Sequence, residues 1–417
     1  RRPLQCHCSA LPAELWPRGQ ARHHIPQLGA CQLQRAANVY WRIDTPAPHP
    51  ESMSEAEKLP GASPSVWVLS SPGAGDNAQL RTLAALLTPE PVWQSGFDPL
   101  HRVIIDRLGG LPKARPGSRL RSPDGTRFAP PWPDLVLIAG GRHVINACRI
   151  RAASGGRTRV VCLGRPWAPL AWLDLIVTTP QYRLPEDDNV LLLDLPLNAP
   201  PTESEAARAH WQSELAGLPG PLLGVLLGGS SGSFRLTRRC ENRIAARVQE
   251  VASRHAAGVA LVDSPRSPKG LADRIAKQVS VPLRVCSSRD GAPNPYATVI
   301  RSCDALLVTE DSVSMVADVV HAGKPVAVLE LAERIHARAS RRLRQSIPGM
   351  GRFGARLVRR GLWCPPRDLR ALRERLIERG LLSHTDELFP ARQRLDGPLR
   401  AAQSRVVSRV LELLARR

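Results

Sequence analysis

The chain has 417 residues and a formal net charge of +21, from 58 Lys and Arg against 37 Asp and Glu. This length corresponds to two or three globular domains, and 43% hydrophobic with 23% charged residues excludes a chain that is disordered throughout. No apolar run approaches the roughly 20 residues of a membrane-spanning helix. Nine cysteines without a C-x-x-C pair argue against a zinc ribbon and against a secreted disulfide framework.

Residues 1–52 differ in composition from the rest of the chain. They show neither helical nor strand periodicity, and Met53 is the first methionine. We therefore expect the native chain to start at Met53 and residues 1–52 to be a non-native or unstructured extension. A transit peptide is the alternative, because the segment is rich in arginine and poor in acids, but it holds only two serines.

From Met53 onward, short apolar runs alternate with helix-like segments, which is typical of βαβ units and a parallel sheet. A first series of strands is predicted at 66–70, 135–139, 158–163, 175–178 and 190–193. A second series is predicted at 222–227, 259–262, 283–286, 305–309 and 326–329. We expect an α/β fold with an N-terminal Rossmann-like domain (53–200), a linker or bridging helix (201–221), a C-terminal Rossmann-like domain (222–390) and an amphipathic C-terminal helix (391–417).

The first Gly-rich turn, Ser71-Pro72-Gly73-Ala74-Gly75-Asp76-Asn77-Ala78, satisfies G-x-G-x-x-A between a strand and a helix. This pattern alone predicts a dinucleotide-dependent oxidoreductase or a sugar-nucleotide epimerase. Two features oppose that hypothesis, because Asp76 places a carboxylate where pyrophosphate would bind, and no ribose-binding acid ends the following strand. We interpret Asp76 as a helix N-cap, with a base that faces an acceptor hydroxyl as the alternative.

Two later turns have chemistry suited to a phosphate group. Gly228-Gly229-Ser230-Ser231-Gly232-Ser233 contains no acid and offers flexible N–H groups and hydroxyls, although a plain strand-to-helix loop is equally compatible. The run Thr309-Glu310-Asp311-Ser312-Val313-Ser314-Met315 follows a strand, and Asp311 or Ser312 is predicted to cap a helix that ends near His321. Ser312 and Ser314 would then face a diphosphate, and Asp318 would face a ribose. The alternative is that the two serines only accept hydrogen bonds from the amides of the first helical turn.

Runs spread from about residue 66 to residue 329 resemble the mitochondrial-fission (elongated-mitochondria) family of plants and its bacterial homologues. In the first half the resemblance is carried by Pro133-Asp134-Leu135, Gly140-Gly141-Arg142, Ser154-Gly155-Gly156-Arg157, Leu163-Gly164-Arg165-Pro166, Thr179-Pro180-Gln181-Tyr182 and Asn189-Val190. In the second half it is carried by Leu227-Gly228-Gly229, Phe234-Arg235-Leu236-Thr237, Asn294-Pro295-Tyr296, Thr309 to Met315 and Gly323-Lys324-Pro325.

Bacterial members of that family are regarded as glycosyltransferases of the GT-B type, with two Rossmann-like domains facing across a cleft. The resemblance implies a nucleotide sugar as substrate, with no further cofactor, and it agrees with the absence of an Asp-x-Asp metal motif. The donor side would comprise Gly228, Gly229, Ser230, Ser231, Arg266, Asn294, Asp311, Ser312, Ser314 and Asp318. The acceptor side would comprise Gly73, Gly75, Asn77 and Arg142. This chain departs from the family pattern at Asp318, where Glu is usual, and around Arg266.

Catalysis of glycosyl transfer requires a base for the acceptor hydroxyl and a stabilised leaving diphosphate. Asp76 and His143 are the candidate catalytic residues. The alternative function is a non-catalytic, membrane-associated scaffold with the same fold.

Most of the net charge lies in residues 334–417, which hold 21 Lys and Arg against 7 Asp and Glu. We expect the final helix, with Val406 and Val410 on its apolar stripe, to pack back on the other domain. The alternative is a basic patch for an anionic membrane surface, which would make a cytoplasmic protein peripheral on the inner membrane. Nucleic acid is a poor partner, because aromatic residues make up only 4% of the chain.

Overall fold

The computed structural model describes residues 63–71, 73–95, 110–121, 125–288, 291–346, 350–389 and 398–416. The side chains of residues 142, 343–346, 350 and 398 are outside this description. The expectations for residues 1–52 and for the Arg142 side chain therefore lie outside the described residues.

Two parallel sheets form the centre of the described chain. The first half contains β1 (Val66–Leu69), β2 (Val92–Gln94), β3 (Leu120–Arg121), β4 (Arg127–Phe128), β5 (Leu135–Ala139), β6 (Arg159–Leu163), β7 (Leu175–Thr178) and β8 (Val190–Leu192). Six of these strands make a parallel sheet in the order β2-β1-β5-β6-β7-β8, while β3 and β4 form a small antiparallel hairpin.

The second half contains β9 (Leu222–Leu227), β10 (Phe234–Arg235), β11 (Gly258–Asp263), β12 (Leu283–Cys286), β13 (Ala305–Thr309), β14 (Val326–Leu329) and β15 (Ala332–Glu333). Five of them make a parallel sheet in the order β12-β11-β9-β13-β14, and β10 pairs with β15 in an antiparallel ribbon. The predicted architecture of two Rossmann-like halves is confirmed.

Helices connect the strands of both sheets, and four further helices of the described chain follow β15. They are α1 (Ala74–Leu87), α2 (Val144–Ala153), α3 (Glu205–Leu215), α4 (Arg238–Arg254), α5 (Leu271–Ala276), α6 (Tyr296–Ser302), α7 (Val313–His321), α8 (Ile335–Ser346), α9 (Met350–Arg359), α10 (Leu369–Glu378) and α11 (Pro398–Ala415). The bridging helix predicted between the halves is α3, which starts at the Ser204 N-cap and buries Trp211.

All ten predicted strands are present, within one residue at either end. The sequence located them well because a parallel strand covered on both faces is a continuous apolar run. The strands that it missed, β2, β3, β4, β10 and β15, have two or three residues each, and Val92 and Trp93 of β2 are exposed. Such short or exposed strands leave no apolar run to detect.

The first sheet is covered on both faces, as β5 illustrates. Leu135 and Leu137 pack against α1 on one face, and Val136 and Ile138 pack against α2 on the other. Val406 and Val410 of α11 are fully buried in the core on the α1 face. The C-terminal helix therefore packs back on the first half, as predicted.

Replacement of Val410 by alanine measures how much α11 stabilises the first half. Val410 is 0% exposed, so loss of its two methyl groups should lower the free energy of unfolding by about 2 kcal/mol. Ser408→Ala, at an exposed position of the same helix, should change it by less than about 0.5 kcal/mol. Equal midpoints for both variants in urea unfolding would contradict this packing.

Candidate functional site

A cavity of about 380 Å³ opens at the carboxyl ends of the strands of the first sheet. Its wall includes Ser71, Gly73 and Asp76 from the turn into α1 and His143 from the turn before α2. Ligands of open parallel sheets bind at this edge. Both candidate catalytic residues, Asp76 and His143, therefore line one cavity.

Asp76 lies in the first turn of α1 and is not its N-cap, because the helix starts at Ala74 and Gly73 occupies the N-cap position. The interpretation of Asp76 as an N-cap is therefore wrong. Its Oδ2 accepts a hydrogen bond from the Ser71 hydroxyl at 2.9 Å. Burial raises the pKa of Asp76, while the Ser71 hydrogen bond and the charge of Arg367 act in the opposite direction. A raised carboxyl pKa suits a proton acceptor that works near neutral pH.

Asn77 holds the turn that carries Asp76. Its Oδ1 accepts from the Ser71 amide at 2.8 Å and its Nδ2 donates to the Ser71 carbonyl at 2.7 Å. The structure thus gives Asn77, predicted on the acceptor side, a role in shaping the turn.

The far wall of the cavity contains Arg165 and Tyr182, which the sequence did not single out as functional. The Arg165 guanidinium lies over the Tyr182 ring, 5.7 Å from its centroid. Burial lowers the pKa of Arg165 and raises the pKa of Tyr182. The cavity therefore combines a buried acid, a histidine and a cation.

A short segment, Cys364 to Asp368, crosses from the second half to this wall, and we call it the crossing segment. The Asp368 amide donates to the Gln181 carbonyl at 2.8 Å, and the Asp368 carboxylate pairs with Arg183 at 2.7 Å. Arg165 donates to the Pro365 carbonyl. Through this segment the charge of Arg367 acts on Asp76.

The crossing segment also reaches the Gly-rich loop of the second half, because the Ser233 hydroxyl donates to the Arg367 carbonyl at 3.1 Å. That loop is followed by β10, and α4 starts only after Thr237, whose hydroxyl oxygen caps the Cys240 amide. The turn therefore leads into the short strand β10 before the helix starts, and the choice between a phosphate site and a structural loop stays a prediction.

Four of the predicted donor-side residues meet at the start of this loop, around the Asp311 carboxylate. The Gly229 amide donates to Asp311 Oδ2 at 3.1 Å, and Arg266 pairs with the same oxygen at 2.9 Å. The Gly228 amide donates to the Thr309 hydroxyl, which in turn donates to Asp311 Oδ1. Groups expected to hold a phosphate thus hold a carboxylate of the protein.

Close packing explains why the loop starts with two glycines. A Cβ on Gly228 would lie 2.3 Å from Asp311 Oδ1, and a Cβ on Gly229 would lie 2.1 Å from the Arg266 carbonyl oxygen. The hydroxyl oxygen of Ser230 accepts from the Leu236 amide, and that of Ser231 accepts from the Phe234 amide. The serines therefore shape the loop.

The N-terminus of α7 faces the N-terminus of α1. Ser312 occupies the predicted N-cap position of α7 without a side-chain capping bond. A Cβ on Gly75 of α1 would lie 2.6 Å from the Ser314 hydroxyl oxygen. The structure thus brings Gly75 and Ser314, predicted on opposite sides of the site, into contact.

Asp318 links the two halves from the middle of α7. Its carboxylate accepts from the Tyr296 hydroxyl at 2.8 Å and from the Asn198 side chain at 3.1 Å. Burial raises its pKa to about 6, although both hydrogen bonds act to lower it. Asn294, predicted on the donor side, is exposed, and its Oδ1 accepts from the Tyr296 amide.

Glu310 is a buried acid that the sequence did not single out. Its Oε2 accepts from the Leu331 amide at 3.2 Å, and Arg370 lies 3.9 Å from Oε1. Burial raises the pKa of Glu310 to about 7. The residue stands within the Thr309 to Met315 run, but its partners Leu331 and Arg370 are distant in the sequence, and no local pattern reveals them.

Two searches of the described ranges were negative. No group of three or more His, Cys, Asp and Glu side chains within them is arranged to hold a metal ion. No helix in the same part of the chain is long and apolar enough to cross a membrane.

The sequence model of the family described as Mitochondrial fission ELM1 matches residues 74–352, from α1 to α9. The chain belongs to this family. A curated relative, Mitochondrial fission protein ELM1 of Arabidopsis thaliana, is 26% identical over 219 residues, which cover 47% of this chain and 51% of that protein. The chain thus spans about half the length of this curated relative. The predicted family resemblance is confirmed, whereas membership of a bacterial branch stays a prediction.

Similar solved structures include a UDP-GlcNAc 2-epimerase from Methanocaldococcus jannaschii, with 11% identity, a TM-score of 0.39 and coverage of 84% of this chain and 99% of that chain. The ADP-heptose lps heptosyltransferase II of E. coli has 12% identity, a TM-score of 0.35 and coverage of 63% and 84%. A UDP-glucosyltransferase from Polygonum tinctorium has 14% identity, a TM-score of 0.38 and coverage of 84% and 98%. The assignment of two Rossmann-like halves rests on the sheet topology.

Glu310 makes the stability of the second half depend on pH. Because its pKa in the folded protein, about 7, lies above the ordinary value of 4.5, stability is lost as the pH rises from 4.5 through 7. Glu310→Gln should remove this loss, up to about 3 kcal/mol, in unfolding measured at pH 5 and at pH 8. The exposed Glu205→Gln should keep the wild-type pH dependence, and parallel profiles for all three proteins would contradict the assignment.

Proposed function

We propose that the chain is a GT-B glycosyltransferase that transfers a sugar from a nucleotide-sugar donor to a cell-envelope or lipid-linked acceptor. One observation carries the proposal, namely that the N-termini of α1 and α7 meet beside the cavity that holds Asp76 and His143. Membership of the family supports it. The proposal includes the expectation, implied by the family resemblance, that a nucleotide sugar is the substrate and that no separate cofactor is used.

The donor diphosphate would lie beside the contact between the two helix N-termini. Each N-terminus carries a partial positive charge of about half an electron charge and unpaired amides. The Ser312 and Ser314 hydroxyls lie at one of them. Such fixed dipoles stabilise the negative charge that a departing nucleoside diphosphate develops, and they need no reorganisation when the bond breaks.

The acceptor would occupy the cavity of the first half, whose 380 Å³ falls in the range of small-molecule sites. Asp76 would take the proton of the acceptor hydroxyl as its oxygen forms the bond to the anomeric carbon. The bond from that carbon to the phosphate oxygen breaks with its electron pair, which remains on the nucleoside diphosphate. His143, buried in the same wall, would orient the acceptor.

Asp76→Asn separates binding from chemistry. The asparagine keeps the size of the side chain and cannot take a proton, so sugar release from a panel of nucleotide sugars should fall about a hundredfold or more. UDP or ADP should still raise the midpoint of thermal unfolding of the variant. Glu90→Gln, at an exposed position, should match wild type. Absence of stabilisation by every nucleoside diphosphate, in wild type as well, would contradict the enzyme proposal.

A second candidate function, a non-catalytic membrane-associated scaffold, is favoured by the Asp311 carboxylate. It engages the Gly229 amide and Arg266, which are among the groups predicted to bind the donor. A fold that retains the loop but fills its anion site with its own acid would serve as an interaction platform. The dinucleotide-oxidoreductase alternative is opposed by Asp76, whose carboxylate lies beside Gly73.

Asp311→Asn distinguishes the scaffold from the enzyme. If the carboxylate blocks the loop, wild type should show no stabilisation by UDP or ADP. The variant should gain it, because loss of the negative charge removes the repulsion of a diphosphate and leaves the Arg266 charge without its ion-pair partner. Arg266→Ala in the Asp311→Asn background should abolish the gain. Thermal unfolding and isothermal calorimetry measure these effects. Stabilisation of wild type that Asp311→Asn leaves unchanged would contradict the scaffold.

A further inference from the structure

Two large apolar side chains are exposed on and just after α9. Phe353 is 59% exposed and Leu362 is 56% exposed. Arg352 and Arg356 of the helix, and Arg360 just after its end, are exposed as well. The spacing of four residues places Arg352 and Arg356 on one side of the helix, and Phe353 lies three residues before Arg356. We call these five residues the α9 face.

The side of α9 that carries Gly354 and Val358 is buried, and the end of the helix and the turn after it contact the first half. Val358 is buried, and Gly354 lies so close to Trp363 that a Cβ would come within 2.6 Å of its ring. A Cβ on Gly361 would lie 2.5 Å from the Ala168 backbone, and Arg359 pairs with Asp187 at 2.9 Å. One side of the helix is thus packed on the protein, and the side chains of the α9 face are exposed.

The α9 face is joined directly to the wall of the cavity. Leu362 is followed by Trp363 and then by the crossing segment, whose Pro365 and Asp368 bond to Arg165 and Gln181 of the cavity wall. Whatever covers the α9 face therefore lies close to that wall.

We propose that the α9 face docks on an anionic lipid bilayer. Exposed arginines and an aromatic ring on one side of a helix are the pattern of an interfacial anchor, in which the ring enters the headgroup region and the guanidinium groups bind lipid phosphates. Charge complementarity selects this occupant, because three exposed arginines and two exposed apolar side chains on one short segment match an anionic surface that also offers hydrocarbon. A bilayer on the α9 face would lie near the cavity, where it could supply a lipid-linked acceptor. This point rests on the proposed function.

Co-sedimentation with vesicles tests the docking surface, with the full chain and nucleotide stabilisation measured on the same samples. Wild type should bind vesicles with about one-third phosphatidylglycerol in phosphatidylcholine far better than pure phosphatidylcholine vesicles. Phe353→Ser with Leu362→Ser should weaken the binding about tenfold. Arg352→Gln with Arg356→Gln and Arg360→Gln should weaken it about a hundredfold.

Matched control variants remove an exposed apolar side chain or three positive charges from parts of the protein outside the α9 face. Leu111→Ser changes another exposed leucine, and the triple change of Arg208, Arg254 and Arg284 to Gln removes three positive charges from other elements. These controls should bind as wild type does. Binding that falls equally in the controls, or no binding by wild type, would overturn the docking surface. A wild-type dimer that Phe353→Ser with Leu362→Ser dissociates would overturn it in favour of a second copy. Loss of nucleotide stabilisation alone would affect only the proposed function.

Discussion

The Asp311 carboxylate fixes the carboxyl edge of the second sheet. It joins the ends of β9 and β13 to the Arg266 loop through a backbone amide, a hydroxyl and a guanidinium. Its side chain is fully buried, and a buried charge that lost these partners would cost several kcal/mol. Gly228 and Gly229 are needed at the end of β9, because a side chain at either position would displace the Asp311 carboxylate or the backbone of Arg266. The Gly-rich loop thus binds a carboxylate of the protein with the same kinds of groups that would bind a phosphate.

The two halves begin with the same strand and Gly-rich turn, but they use an acid differently. In the first half Asp76 lines an open cavity and bonds to a hydroxyl. In the second half Asp311 is buried and forms an ion pair with Arg266. The crossing segment couples the two sites, since it bonds to the first wall through Gln181 and Arg183 and to the second loop through Ser233. A few hydrogen bonds therefore connect the two sites.

Much of this fold is readable from the sequence, because strands buried on both faces are apolar along their whole length and Ser312 marks the start of α7. The site is less readable. Gly229 and Asp311 meet across 82 residues, and nothing local indicates that the glycine amide already has a partner. Asp368 reaches Gln181 over a longer separation, within a segment of two prolines and two charges that has no periodicity. Helix starts and strand ends are local properties, whereas the occupancy of a loop is set by packing between distant parts of the chain.

The burial of Val406 and Val410 in the first core has a consequence for biosynthesis. The strands of the first sheet leave the ribosome before the second half does, yet the cover of one face is incomplete until α11 has been made. During this interval α1 can pack on that face, but the apolar side chains that Val406 and Val410 contact in the folded protein are exposed. Synthesis of the second half thus precedes closure of the first, and a chain that stops before α11 would leave the apolar side of the sheet available to chaperones and proteases.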